Sequence, residues 1–173
     1  MPAKKNPPKI GSDLEYTALR GEILKRIELR QQLISITLTL AGVFLGVGLG
    51  TESVALIYPP LAMFLAFGWA QNDFRIRNLA EYIREFLETP GTGLQYESMV
   101  QAGRVSTKGL GSWRFIVISH VGIFLFTQAM AIIIELARIS FNFSLLSITQ
   151  WILLSFDLIS MFFVVWIARK STR

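Results

Sequence analysis

Two stretches of this chain, Leu33 to Gly50 and Ser53 to Ala70, each run for 18 residues without a charged side chain, and only Thr51 and Glu52 separate them. A helix of that length rises roughly 27 Å, close to the ~30 Å hydrocarbon core of a bilayer. Two more windows follow, Phe115 to Ile134 and Leu145 to Ala168, interrupted only by His120 in the first and Asp157 in the second. Four such windows in 173 residues leave almost nothing to form a soluble shell. The composition agrees: 52% of residues are apolar, 17% are charged and the mean hydropathy is +0.48, which is outside the range of an ordinary soluble domain. The expected fold is all-α and polytopic, with four transmembrane helices (33–50, 53–70, 115–134 and 145–168) arranged as two antiparallel hairpins. The first apolar run lies well inside the chain and a second follows at once, so no cleavable leader is expected. The absence of cysteine excludes disulfides, thiolate metal sites and thiol catalysis.

Charge placement orients the spans. Of the 17 Lys and Arg residues, all but Arg138 fall before the first window, between the second and third, or after the fourth. By the positive-inside rule both termini and the central segment are cytoplasmic. The same distribution accounts for the basic pI of about 9.8, so nucleic acid is not the expected partner.

Glycine costs a helix interior about 1 kcal/mol against alanine, so the run GVFLGVGLG (Gly42–Gly50) asks for a compensating contact. Ser35, Thr39, Gly42, Gly46 and Gly50 share one helix edge, and Ala62, Ala66 and Ala70 form a matching edge on the second window. Across so short a turn the two edges are expected to meet in register, because helices in lipid associate through close backbone approach. The same edge also suits contact between copies of the chain. Pro59-Pro60, about a third of the way into the second window, is expected to kink or locally open its helix.

The first two spans are expected to continue into the cytoplasm. Residues 1–11 read as a disordered basic terminus. Ser12-Asp-Leu-Glu15 reads as a capping box that opens a long helical hairpin over 12–89. Tyr16, Leu19, Ile23 and Ile27 stripe one extension, and Ile76, Leu79, Ile83 and Phe86 the other, until Pro90-Gly91 ends the pattern. The two stripes are expected to pair as a stalk; the alternative lays each flat on the bilayer. Residues 90–112 are Gly-rich and read as a linker with one helix-compatible patch at Tyr96–Ala102. Within it Gly103-Arg-Val-Ser-Thr-Lys108 lacks the glycine before the lysine and the hydroxyl after it that a phosphate loop needs.

The second hairpin (113–173) carries the polar chemistry. Asp157 falls mid-span, where an ionised carboxylate must be paired, hydrated or protonated. Antiparallel pairing across the short connection would set Gln128 near Gln150 and His120 within about a turn of Asp157. One reading is interhelical hydrogen bonding; the other is a proton or cation path through His120, Gln128, Gln150 and Asp157. Glu135 and Arg138 read as a surface ion pair.

Two stretches, LEYTALRGEILKRIELR (Leu14–Arg30) and AQNDFRIRNLAEYIR (Ala70–Arg84), flank the glycine-rich hairpin. With it they give the chain a form that resembles a group of small uncharacterised bacterial four-span integral membrane proteins, which implies fold and setting but no activity. In layout, residues 13–89 are also similar to SLATT-type two-span membrane effectors of bacterial conflict systems. That likeness implies a membrane-perturbing or pore-forming effector under a cytoplasmic partner. No nucleophile and base, metal-ligand spacing or cofactor motif is evident, so neither an enzyme nor a cofactor is expected. The expected function is an oligomeric inner-membrane pore or effector, the competing one a non-conducting scaffold that recruits a soluble partner. The expected partners are the bilayer, further copies of the chain and a cytoplasmic protein.

Overall fold

The structure is a computed structural model and describes residues 9–88, 93–106 and 113–171. These form five α-helices, α1 (Lys9–Gly48), α2 (Tyr58–Tyr82), α3 (Tyr96–Ser106), α4 (Trp113–Arg138) and α5 (Ile148–Ser171), with no strand among the described residues. Three contain segments long and apolar enough to cross a membrane: Asp13–Gly48 in α1, Val117–Arg138 in α4 and Ile148–Lys170 in α5.

The second apolar window is not among them. Its first residues form a turn and a 3-10 segment (Ala55–Ile57), so the helix starts only at Tyr58, and Gln71, Asn72 and Asp73 follow its apolar part. The remaining 13 residues rise roughly 20 Å, short of the ~30 Å hydrocarbon layer. Enclosure compensates. Helix α2 packs against α1, α4 and α5, burying Tyr58, Ala62, Ala66, Trp69, Asp73 and Ile76 at three- and four-residue spacing.

One apolar core joins the four long helices. Ile34 of α1, Ala66 and Trp69 of α2, Val117, Val121 and Phe124 of α4, and Val164 of α5 belong to a single cluster. The segments read as two hairpins therefore share their interior rather than standing apart. Along α1 and α2 the contacts pair Gly48 with Ala55, the Thr37 carbonyl with Tyr58 and Arg30 with Asp73, so the two helices run in opposite directions.

Three local expectations are corrected. Pro59 and Pro60 do not kink a helix, because they occupy its first turn. Amides there lack an intrahelical acceptor, so a missing N–H removes no bond, and the fixed φ of proline favours the helix start. The small-residue edge of α1 also faces away from α2. Ser35, Thr39, Gly42 and Gly46 are exposed, and Gly50 lies beyond the helix end. The buried face of α1 is Ile34, Thr37, Ala41 and Gly48, rotated by about 100° from Gly42 at 3.6 residues per turn. On α2, Ala62 and Ala66 do face inward and Ala70 is half-buried. Finally, α1 begins at Lys9, upstream of the Ser12–Glu15 box, whose Glu15 accepts a hydrogen bond from the Tyr82 hydroxyl at 2.9 Å. Residues 1–8 lie outside the described part.

The extensions of α1 and α2 do pack on each other. Ile23, Ile76, Ile83 and Leu87 form a buried cluster surrounded by Tyr16, Leu19, Ile27 and Leu79. Leu87 takes the place expected for Phe86, which is exposed and stacks on Tyr82 at 5.0 Å. The cause is a π-helical turn at Ile83–Leu87, closed by the Glu88 amide donating to the Ile83 carbonyl at 2.9 Å. One extra residue per turn advances the inward position by one.

Within the span read as a linker, the helix-compatible patch becomes α3. Glu88 caps it from outside: its carboxylate accepts from the Glu97 amide at 2.6 Å, the Ser98 amide at 2.7 Å and the Ser98 hydroxyl at 2.6 Å, satisfying donors that a helix start leaves open. Arg20 of α1 pairs with Glu97 and lies 4.0 Å over the Tyr96 ring.

Two outcomes test this packing. A Cβ at Gly48 would sit 2.6 Å from the Ala55 Cβ and 3.1 Å from its backbone, whereas one at Gly42 or Gly46 meets nothing within 4 Å. Gly48→Leu is expected to lower stability in detergent by at least about 1–3 kcal/mol, while Gly42→Leu and Gly46→Leu leave the single chain unaffected; equal losses at all three would contradict the packing. The second concerns Glu88. Burial pushes its carboxyl up, but the Ser98 hydroxyl, the Glu97 and Ser98 amides and the Arg20 charge outweigh this and hold it below its ordinary 4.5. Such a group contributes fully above pH 4.5 and loses its contribution as pH falls through the lower folded-state value. Acidification is expected to lower the hydrogen-exchange protection factors of Glu97 and Ser98, taken against the intrinsic rate at each pH, while those of Ile23 and Ile76 hold; constant protection factors down to about pH 3 would refute the cap.

Candidate functional site: a buried polar layer

Tyr58, the first residue of α2, is fully buried, and its hydroxyl donates to Thr127 Oγ1 of α4 at 2.8 Å and lies 3.4 Å from the Thr37 carbonyl of α1. Thr37 and Thr127 are themselves tied back to their own helices, donating to the Leu33 and Ile123 carbonyls. The next residue supplies an acceptor. The Pro59 carbonyl receives the Gln128 amide of α4 at 3.4 Å and the Ser160 hydroxyl of α5 at 3.1 Å. A carbonyl has two lone pairs, so the start of α2 can cross-link two neighbouring helices.

Asp157 lies one turn before Ser160 on the inner face of α5 and is 0% exposed. Among the described residues, nothing donates a hydrogen bond to either of its carboxylate oxygens or to Gln128 Oε1. Two kinds of acceptor are therefore buried with no donor among the described residues. Leaving a buried acceptor unmade costs about 1–3 kcal/mol, and more if it is charged. This layer calls for positive charge or a proton from elsewhere.

The other site candidates are placed as follows. His120 stacks on Trp69 of α2 with ring centroids 5.4 Å apart. It stands eight residues along α4 from Gln128, about 12 Å at 1.5 Å per residue. The corresponding Trp69 is 1% exposed and is a core residue. Gln150 is buried, but at the end of the bundle that carries the two short connections, where it donates to Glu135 at 2.7 Å.

Sequence reasoning missed Glu135 as an organising residue. Its carboxylate is fully buried, accepts from the Ser53 amide at 3.3 Å and from Gln150, and pairs with Arg138 at 3.6 Å. Ser53 reaches it in the left-handed conformation, with φ of 62°. Glu135 thus ties both connections together. At the opposite, basic end, buried Asp73 pairs with Arg30 at 2.8 Å and with Arg77 at 3.5 Å. The available signal was the presence of Asp and Glu at the edges of apolar windows within reach of Arg or Gln. Among the described residues, no group of three or more His, Asp or Glu side chains could hold a metal ion.

The fold and this layer define the class: an all-helical protein of membrane-spanning character with ionisable groups in its interior. No family model, curated protein or solved structure matches the chain.

Glu135→Ala should remove the partners of Ser53 and Gln150 together. A loss of about 1–3 kcal/mol in detergent is expected, since each buried donor left open carries a penalty of that order, with faster hydrogen exchange at Ser53. Stability equal to wild type would show that the knot is dispensable.

Proposed function

We propose that the protein is a bacterial inner-membrane protein that crosses the bilayer four times, as two antiparallel hairpins with both termini and the 90–112 segment cytoplasmic. Connectivity supports the fourth crossing. Arg20 near the start of α1 pairs with Glu97 of α3, so the chain between them must return to the end it left, and α2 makes that return. Enclosure by three apolar helices lets α2 do so despite its short apolar length. The preponderance of Lys and Arg at that end supports its cytoplasmic placement.

Within this frame the protein acts as an oligomeric gated pore or membrane-disrupting effector controlled by a soluble cytoplasmic partner, not as an enzyme. The observation that carries this reading is Asp157: a fully buried carboxylate in an apolar span, with no donor to either oxygen among the described residues. Intramembrane ionisable groups are expensive and mark ion or proton paths. Gln128 Oε1 extends the acceptor surface that a proton or small cation would follow. The exposed edge of Ser35, Thr39, Gly42 and Gly46 offers other copies a close backbone approach. The docked α3 favours the second reading, a non-conducting scaffold, because it gives a partner an ordered surface at the basic end.

Reconstitution separates them. Liposomes containing the protein are expected to pass protons or monovalent cations, and Asp157→Asn is expected to abolish the flux without lowering stability, because an unpaired buried carboxylate contributes no net stabilisation. Loss of stability with unchanged flux would make Asp157 a structural residue. Liposomes that stay tight under every partner and stimulus tried, with Asp157→Asn behaving like wild type, would argue for the scaffold.

A further inference from the structure

Between α2 and α5, at the basic end of the bundle, lies an open groove of about 610 Å³, within the size range of small-molecule sites. Its two halves differ in character. Phe67 and Phe74 of α2 and Trp166 of α5 line one half; Arg77 and Lys170 line the other. Trp166 is about half exposed, with the Lys170 ammonium 5.4 Å over its ring, the placement of an aromatic and a lysine at a bilayer interface.

The charge around the polar half is positive. Arg77 and Arg30 share the single carboxylate of Asp73. Glu81, which also lines the groove, pairs with Arg84 at 3.8 Å. Among the described residues that line the groove, two cations, Arg77 and Lys170, stand against one carboxylate, Glu81. Such an excess, above an apolar trough that opens toward lipid, complements a molecule with an anionic head and a hydrocarbon tail.

We propose that this groove is a binding site for an anionic glycerophospholipid, its phosphate held by Arg77 and Lys170 and one acyl chain lying along Phe67, Phe74 and Trp166. The site depends on the membrane reading but not on conduction. Basic pockets between membrane helices recognise acidic headgroups in this way, each cation near the surface strengthening attraction to anionic lipid. A bound lipid would also bridge α2 to α5 where the helices leave the bilayer, joining the second span to the fourth.

Native mass spectrometry of the full chain in detergent, with added phosphatidylglycerol or phosphatidylcholine, tests the assignment. Phosphatidylglycerol retention is expected to exceed phosphatidylcholine retention by roughly 30-fold, from two surface cations. Lys170→Gln, whose side chain is exposed, is expected to cut that retention about fivefold, and Arg77→Lys, which keeps the charge, to preserve most of it. In nanodiscs, brominated phosphatidylglycerol should quench tryptophan fluorescence more than brominated phosphatidylcholine does, and Trp166→Phe should remove the difference. Equal retention of the two lipids, or retention unaffected by Lys170→Gln, would overturn the site. Displacement by inorganic phosphate would make the ligand a phosphate ion and overturn the lipid. Failure of the membrane reading would appear separately, as a chain that does not enter bilayers.

Discussion

Everything in this bundle follows from how α2 is shielded. Its helical apolar stretch is too short to face lipid alone, and its start and end bring polar groups, the Pro59 carbonyl and the Asp73 carboxylate, into the interior. In a low-dielectric surrounding such groups are tolerable only when other protein groups meet them. Helices α1, α4 and α5 do this while turning their own apolar faces outward. Phe126 of α4 and Phe156, Leu158 and Phe162 of α5 are more than half exposed, as lipid-facing side chains would be. The helix least suited to lipid by composition is therefore the one that organises the rest.

The buried acids show how differently one side-chain type can be used. Asp73 is met by two guanidiniums and Glu135 by an amide, a carboxamide and Arg138, so each closes one end of the bundle. Breaking a satisfied buried pair is strongly destabilising, and both ends are accordingly rigid. Asp157 stands between them with neither oxygen satisfied by a described residue. A group kept in that condition between two well-built ends points to chemistry rather than cohesion, and on this the reading of the protein as ion-conducting rests.

Much of the architecture was legible in the chain, and the failures share one cause. Three apolar helices and the pairing of the extensions through Ile23, Ile76 and Ile83 followed from periodicity and length, and the inward placement of Asp157 from the cost of a charge in an apolar span. Periodicity identifies a face but not its partner. Ser35–Thr39–Gly42–Gly46 and Ile34–Thr37–Ala41–Gly48 are both valid faces of α1; the second won because α2 and α4 pack there. His120 was read by level alone, which could not show that its ring stacks on Trp69. The prolines were misread because the window was taken as helical from Ser53, although proline is at home in a first turn. Glu135 was passed over because an Arg three residues on supplied an adequate local explanation; its contact with Ser53 spans 82 residues.

The π-helical turn at Ile83–Leu87 carries a consequence for the outside of the molecule. By admitting one additional residue it keeps Ile83 and Leu87 inside and rotates Tyr82 and Phe86 outward as a stacked aromatic pair. A regular helix would have drawn Phe86 toward the seam and dissolved that pair. Two stacked rings thus stand exposed at the basic end, set there by the backbone of the π turn and tied to α1 by the bond from the Tyr82 hydroxyl to Glu15.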